Sequence, residues 1–278
     1  MRDAPLVAVI QFPGSNCEYE TAAVLRHHGL DGRIYRWNLH REIASDAPQA
    51  FVLPGGFSFQ DRVRAGAVGS RERIMDVVVA RAAEGIPVLG ICNGAQILVE
   101  SGLVPGWDSG SVQASLAANH VLGRSGYLSR WVYVRRAPEA GRSCPWLGML
   151  GDRAFPIPIA HAEGRFVFPD RDLARVADCA ALTYCGTDGS EPQGYPVNPN
   201  GSTANLAGIM NPAGNVLAMM PHPERASHLW QVPLSTQGEW GSARAELHGS
   251  PDLSVAPGPG SLFFRGLAGW LGLEGGSE

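Results

Sequence analysis

The sequence contains no lysine; all 22 of its basic residues are arginine. A Walker-type phosphate loop needs a lysine, and so does Schiff-base or pyridoxal chemistry, so this chain supports neither. There is no Cys-x-x-Cys pair, and the five cysteines (Cys17, Cys92, Cys144, Cys179 and Cys185) are odd in number. Both facts argue against a disulfide framework and a zinc ribbon, and they suit a reducing compartment. No apolar run approaches the roughly 20 residues that span a bilayer. The opening Met1-Arg2-Asp3-Ala4-Pro5 leads directly into a strand-like run, without the hydrophobic stretch of a secretory signal. Positive charge is not in excess, because the net charge is −4, and nothing draws the chain toward nucleic acid. A cytoplasmic protein with neither a membrane nor a nucleic-acid partner is expected.

With 278 residues, 45% of them hydrophobic and 17% charged, the chain suits one large globular domain spanning residues 1–278. Leu6-Val7-Ala8-Val9-Ile10 is a near-continuous apolar run, as in a strand buried on both faces. A turn at Phe12-Pro13-Gly14-Ser15-Asn16 precedes a predicted helix over 17–28, with Asn16 as its N-cap. Further strands are predicted at 32–37, 50–53 and 87–91, and helices at 70–84 and 93–101. This alternation predicts an α/β fold with a doubly wound, mostly parallel sheet. In such sheets the chemistry lies at the carboxyl ends of the strands. Later strands are predicted at 130–134, 180–184, 206–210 and 215–219. Residues 231–260, rich in Gly, Pro and Ser, read as a surface insertion before a closing helix at 262–273.

Cys92 stands in Gly90-Ile91-Cys92-Asn93-Gly94, an apolar strand running into Gly-x-Cys-x-Gly with a helix behind it. This is a nucleophile-elbow pattern with sulfur in place of the serine oxygen. The flanking glycines relieve crowding around a strained nucleophile position. The positive end of the helix dipole favours thiolate there. An isolated cysteine is ordinarily a buried core thiol; the two glycines and the preceding strand weigh against that reading here. Far down the chain, His222 and Glu224 are two residues apart in Met219-Met220-Pro221-His222-Pro223-Glu224-Arg225. In extended backbone their side chains point the same way, as a base and its orienter would.

Three other features read less sharply. His161-Ala162-Glu163-Gly164-Arg165 offers two metal-ligand types but no third partner, so no metal site is expected. Arg64 reads equally as an anchor for an interface or substrate carboxylate and as a solvated charge. Cys17 reads as a helix-start residue packed inside.

Taken together, the blocks from Phe12 to Cys17, Leu53 to Ser58, Asp61 to Ala67, Gly90 to Gln96, Gly102 to Gly106, Pro158 to Arg165, Asn198 to Ser202 and Met219 to Arg225 resemble the class I, triad-type glutamine amidotransferases. Within them the chain is similar to the glutaminase-subunit family of phosphoribosylformylglycinamidine synthases; the blocks at His161 and Asn198 carry that narrower likeness. The resemblance implies Cys92 as nucleophile, His222 as base and Glu224 as third triad member. It implies an oxyanion hole from the Gly55-Gly56 turn and the Asn93 backbone N–H, with Gln96 beside bound glutamine. It implies glutamine hydrolysis, with ammonia passed to a separate synthetase subunit in purine biosynthesis. A small accessory subunit of the same complex is implied too. No cofactor is expected in this chain; ATP and Mg are expected in the partner. A stand-alone cysteine amidase or peptidase on the same fold, or a non-catalytic scaffold, are the competing readings.

Overall fold

The computed structural model describes residues 4–108, 110–138 and 144–273. Its strands are β1 (Leu6–Gln11), β2 (Asp31–Arg36), β3 (Ala50–Leu53), β4 (Val88–Ile91), β5 (Ser115–Ala117), β6 (Leu128–Arg136), β7 (Phe155–His161), β8 (Arg165–Val167), β9 (Ala180–Cys185), β10 (Leu206–Met210) and β11 (Val216–Met219). Its helices are α1 (Glu18–His27), α2 (His40–Asp46), α3 (Arg73–Ala83), α4 (Asn93–Glu100), α5 (Val176–Cys179), α6 (Gly238–Glu246) and α7 (Ser261–Trp270).

Nine strands form the main sheet, in the order β2-β1-β3-β4-β11-β10-β9-β6-β7. From β2 to β11 neighbours run parallel. Beyond β11 each pairing is antiparallel. The parallel part follows from the sequence: β1, β3 and β4 are short apolar runs alternating with helices, and all of β3 and β4 is buried. The helix before β4 begins at Arg73, after a 3₁₀ turn over Gly69–Arg71, and buries Ile74, Met75, Val78 and Ala82. Strands β5 and β8 form a separate antiparallel pair.

The Gly-x-Cys-x-Gly spacing is explained by packing. A Cβ on Gly94 would lie 1.9 Å from the Leu53 carbonyl oxygen, and one on Gly90 would lie 2.6 Å from the Gly94 oxygen. Helix α4 therefore starts in contact with β3 and β4, and side chains at either glycine would force it away. All of α4 is buried.

Two expectations are corrected. Residue 16 is not the N-cap of α1; Cys17 takes that position, with no side-chain cap, and the Asn16 Oδ1 accepts from the Cys17 thiol at 3.1 Å. Residues 231–260 are not uniformly a surface loop. They contain α6 and a 3₁₀ turn over Pro251–Ser254, and Gly258, Pro259 and Gly260 are buried. Gly260 N–H donates to the Ala226 carbonyl at 2.8 Å, and a Cβ on Gly260 would lie 2.0 Å from the Pro223 oxygen. This end of the segment thus packs under the 223–226 turn. Among the described residues, no helix is long and apolar enough to cross a membrane.

Candidate active site

Cys92 lies between β4 and α4 with φ 51° and ψ −105°. A positive φ is uncommon for a non-glycine residue and is held only where its surroundings over-determine it. Here the Cys92 N–H donates to Met219 on β11 at 2.8 Å, and the Cys92 carbonyl accepts from Gln96 N–H at 3.1 Å. The thiol is lifted from the end of β4 toward β7, where it donates to the Ala160 carbonyl at 3.5 Å.

Strand β11 runs parallel to β4, with Met219 beside Ile91. The next residues therefore deliver His222 to the same end of the sheet as Cys92. His222 N–H is fixed by the Pro158 carbonyl on β7 at 2.9 Å. The His222 Nδ1 and Glu224 Oε1 are 2.5 Å apart, and the two side chains are 2% and 0% exposed. Nδ1 is thereby committed to the carboxylate, and the ring presents Nε2, which has no hydrogen-bond partner among the described residues. Burial opposes a charge on His222, but Glu224 and the neighbouring Cys92 outweigh it and hold the imidazole well above the usual histidine range.

The Gly55-Gly56 turn closes the other side. A Cβ on Gly55 would lie 2.7 Å from His222 Cε1 and 3.0 Å from Cys17 Sγ, so only glycine lets the turn approach the base. Asn16 and Cys17 N–H groups donate to the Gly55 carbonyl at 3.3 Å, and Phe57 N–H donates to the Gly14 carbonyl at 2.9 Å. These bonds pass on either side of the Gly56 amide. Gly56 itself has φ +146°. The Asn93 side chain fixes the start of α4 against this turn: Oδ1 accepts Ser58 N–H at 3.0 Å and Nδ2 donates to Gln96 Oε1 at 2.9 Å. Gln96 Nε2 reaches the Glu163 carbonyl at 2.7 Å.

The residues expected to act together are thus assembled from β3, β4, α4, β7 and the segment after β11. The His161 loop belongs to the wall of the site. His161 is buried, burial pushes its pKa down to about 3, and its Nδ1 lies 3.0 Å from Asn119 Oδ1. The Asn198–Ser202 block braces that loop: Asn200 Nδ2 donates to the Gly164 carbonyl at 2.8 Å and Ser202 Oγ accepts Phe166 N–H at 3.1 Å. Arg64 is neither solvated alone nor aimed at the site. It makes a two-pronged pair with the buried Glu100 carboxylate, its Nε at 2.6 Å. Beside the site, Tyr127 stacks on Phe57 at 6.5 Å and borders a cavity of about 510 Å³ lined also by Leu122, Tyr195 and Pro199.

Three contributors escaped sequence reasoning: the Ala160 carbonyl, Tyr127, and Cys17, whose Sγ lies within 4.8 Å of ligand atoms of both His222 and Glu224. Ala160 and Cys17 do sit inside blocks that carried the family likeness. Tyr127 lies outside those blocks.

Comparison with known proteins agrees with this geometry. Residues 4–252 match the CobB/CobQ-like glutamine amidotransferase domain. The phosphoribosylformylglycinamidine synthase subunit PurQ of Methanothrix thermoacetophila is 46% identical over 235 residues, covering 82% of this chain and 88% of that one. The chain belongs to the PurQ family. The PurQ subunit of Pyrococcus furiosus is 40% identical, over 80% of this chain and 89% of its own. Among solved structures, PurLQS from Thermotoga maritima superposes with a TM-score of 0.68 at 28% identity, covering 96% of this chain and 99% of that one. Membership of the PurQ family makes the chain a glutamine amidotransferase, and the α/β sheet is that of the class.

Proposed function

We propose that the chain is the glutaminase subunit of a phosphoribosylformylglycinamidine synthase and that Cys92, His222 and Glu224 are its triad. The observation that carries this reading is the buried His222–Glu224 pair at 2.5 Å, set at the same sheet end as a strained cysteine. Glu224 fixes the ring through Nδ1, so that Nε2 faces the chemistry. Cys92 attacks the side-chain amide carbon of glutamine, and the carbonyl oxygen becomes an oxyanion. The backbone N–H groups of Gly56 and Asn93, in the Gly55-Gly56 turn and at the start of α4, receive that charge; one such donor is typically worth about 10²–10³ in rate. His222 passes a proton to the departing nitrogen, and ammonia leaves. Water, activated by the same imidazole, opens the glutamyl thioester and releases glutamate. Gln96, tied to Glu163, shapes the glutamine end of the pocket.

The ammonia goes to a synthetase subunit that aminates formylglycinamide ribonucleotide, in a complex completed by a small accessory subunit. ATP and Mg act in that partner, where the acceptor is activated; hydrolysis of an amide through a thioester requires neither. The names of the relatives and the PurLQS superposition support this division of labour. Glutamine hydrolysis, measured with and without a synthetase subunit, tests it. Glutamate release that depends on Cys92 and feeds amination supports the proposal. A chain that never releases glutamate, alone or assembled, overturns it.

A further inference from the structure

Cys17 Sγ lies within 4.8 Å of ligand atoms of both His222 and Glu224, and the triad chemistry has no use for a second thiol. Its Sγ accepts from Arg225 Nη2 at 3.1 Å and donates to Asn16 Oδ1 at 3.1 Å. Its backbone N–H also holds the Gly55 carbonyl, so the residue joins the Gly-Gly turn to the base. Burial pushes the thiol up to about 11, against the pull of His222 and Arg225, so it stays neutral and accepts a hydrogen bond without adding charge. Arg225 is shared. Its Nε donates to Glu20 Oε1 at 2.9 Å, while the same nitrogen stays 4.0 Å from Glu224 Oε1. Cys17, His222 and Glu224 also make a ligand set for a thiophilic cation. The guanidinium already brings positive charge to the sulfur, and Nδ1 is committed to the carboxylate, so a cation is disfavoured there.

We infer that Cys17 is a positioning residue of the catalytic base: its thiol and Glu20 together hold the Arg225 guanidinium off Glu224, leaving the carboxylate free to orient and charge His222. This rests on the proposed triad. The groups facing His222 are Glu224 and Arg225 from its own segment, Cys17 at the start of α1, Cys92, His161 on β7 and Tyr127. Of the cations among them, Arg225 is the one with freedom to move onto the carboxylate, because Glu20 lies at the 37%-exposed rim. Without the sulfur, the guanidinium gains room to close on Glu224. The imidazolium then loses much of its counter-charge in a site where charge is poorly solvated. His222 then gives up its proton at lower pH, and less of the site rests as the imidazolium–thiolate pair.

The test uses the full chain with its synthetase subunit, and reads Cys92 labelling by 6-diazo-5-oxo-norleucine against pH beside glutaminase kinetics. Cys17→Ala is expected to lower kcat about ten- to thirtyfold, the scale of one hydrogen bond to a charged group, with KM little changed. The acidic limb of its labelling profile is expected to move down by about one pH unit. Cys17→Ser, whose hydroxyl can still accept from Arg225, should recover most of the rate and the profile. Arg225→Gln should move the limb the opposite way, because Glu224 is then uncompensated. Should Cys17→Ala not fold, the Ser and Gln variants still decide. A wild-type profile in Cys17→Ala, a Ser variant no better than Ala, or a limb moving the same way in Ala and Gln overturns the inference. Cys92→Ala is the separate control: if it still hydrolyses glutamine, the triad itself is wrong.

Discussion

Asn93 Oδ1 accepts the Ser58 N–H at 3.0 Å, a bond between the first residue of α4 and the residue two past Gly56. Ser58 and Asn93 are both buried, so neither group has water as a substitute partner. The bond therefore sets the distance between the two backbone amides proposed to hold the oxyanion. Asp61 Oδ1, which accepts from Asn93 Nδ2 at 3.3 Å, extends the tie into a loop where Phe59, Gln60 and Asp61 all have positive φ. That strained loop needs outside support, and Asn93 supplies it.

Asn93→Ala should leave the Ser58 N–H buried and unpaired, at a cost of about 1–3 kcal/mol. Since the Asn93 backbone N–H survives, the loss in kcat should be about ten- to a hundredfold, below the full loss of a donor. Urea midpoints and steady-state glutamine hydrolysis check both figures. An unchanged kcat in a folded variant would show that the side chain does not set the hole.

Cys92→Ala should abolish glutamine-dependent amination while ammonia-dependent amination by the assembled complex persists, since the two chemistries sit in separate subunits. Labelling by 6-diazo-5-oxo-norleucine should mark Cys92 once. Cys17 lies near His222 too, but burial keeps its thiol protonated, up to about 11. Peptide mapping that places the adduct on Cys17 would reverse the roles of the two cysteines.

His222→Ala should be nearly as damaging as loss of the thiol, and Glu224→Gln milder, because an amide still leaves some imidazole correctly placed. The pair also links stability to pH. The folded His222 is raised, so its stabilising contribution is fully present below the unfolded value of about 6.5 and fades as pH rises through the folded value. The stability gap between wild type and Glu224→Gln should therefore narrow on the alkaline side. A gap that widens there contradicts the assignment of charge to this histidine.

Much of this was legible because it is local. Short apolar runs marked β1, β3 and β4, and the glycines around Cys92 marked a backbone that must turn sharply against its neighbours. The order of blocks then placed His222 and Glu224 at the same sheet end. What the sequence hid is set by contacts between distant segments. Cys17 and Arg225 are 208 residues apart, and nothing near either one announces the bond. Helix α6 escaped because it buries little more than Gly241, so it has no apolar stripe to read. Gly258 to Gly260 look like a flexible tip, yet their smallness is what lets them pack under the 223–226 turn.

The same packing divides the segment between the triad and α7 into an exposed stretch and a structural end. Most of residues 237–256 is exposed, and its ties to the body lie largely at its surface: Tyr133 Oη donates to the Gln237 carbonyl at 2.7 Å, Arg153 pairs with Glu239 at 2.9 Å, Leu229 N–H donates to the Ala256 carbonyl at 2.9 Å, and half-buried Trp240 packs against the core. Replacing residues 235–254 with a short Gly/Ser linker should therefore give a folded chain that labels normally at Cys92, with coupling to the synthetase as the one property at risk. Carrying the same deletion on to Gly260 should not be tolerated. It removes the Gly258 N–H bond to Ser227 at 2.9 Å and the Gly260 N–H bond to Ala226 at 2.8 Å, which hold the turn that carries Glu224. Gly260→Val isolates the point, since its Cβ would strike the Pro223 carbonyl 2.0 Å away. Soluble yield and the rate of Cys92 labelling separate the three variants. If the shorter deletion fails to label, α6 supports the site directly; if Gly260→Val labels at the wild-type rate, the turn beneath Glu224 does not depend on this glycine.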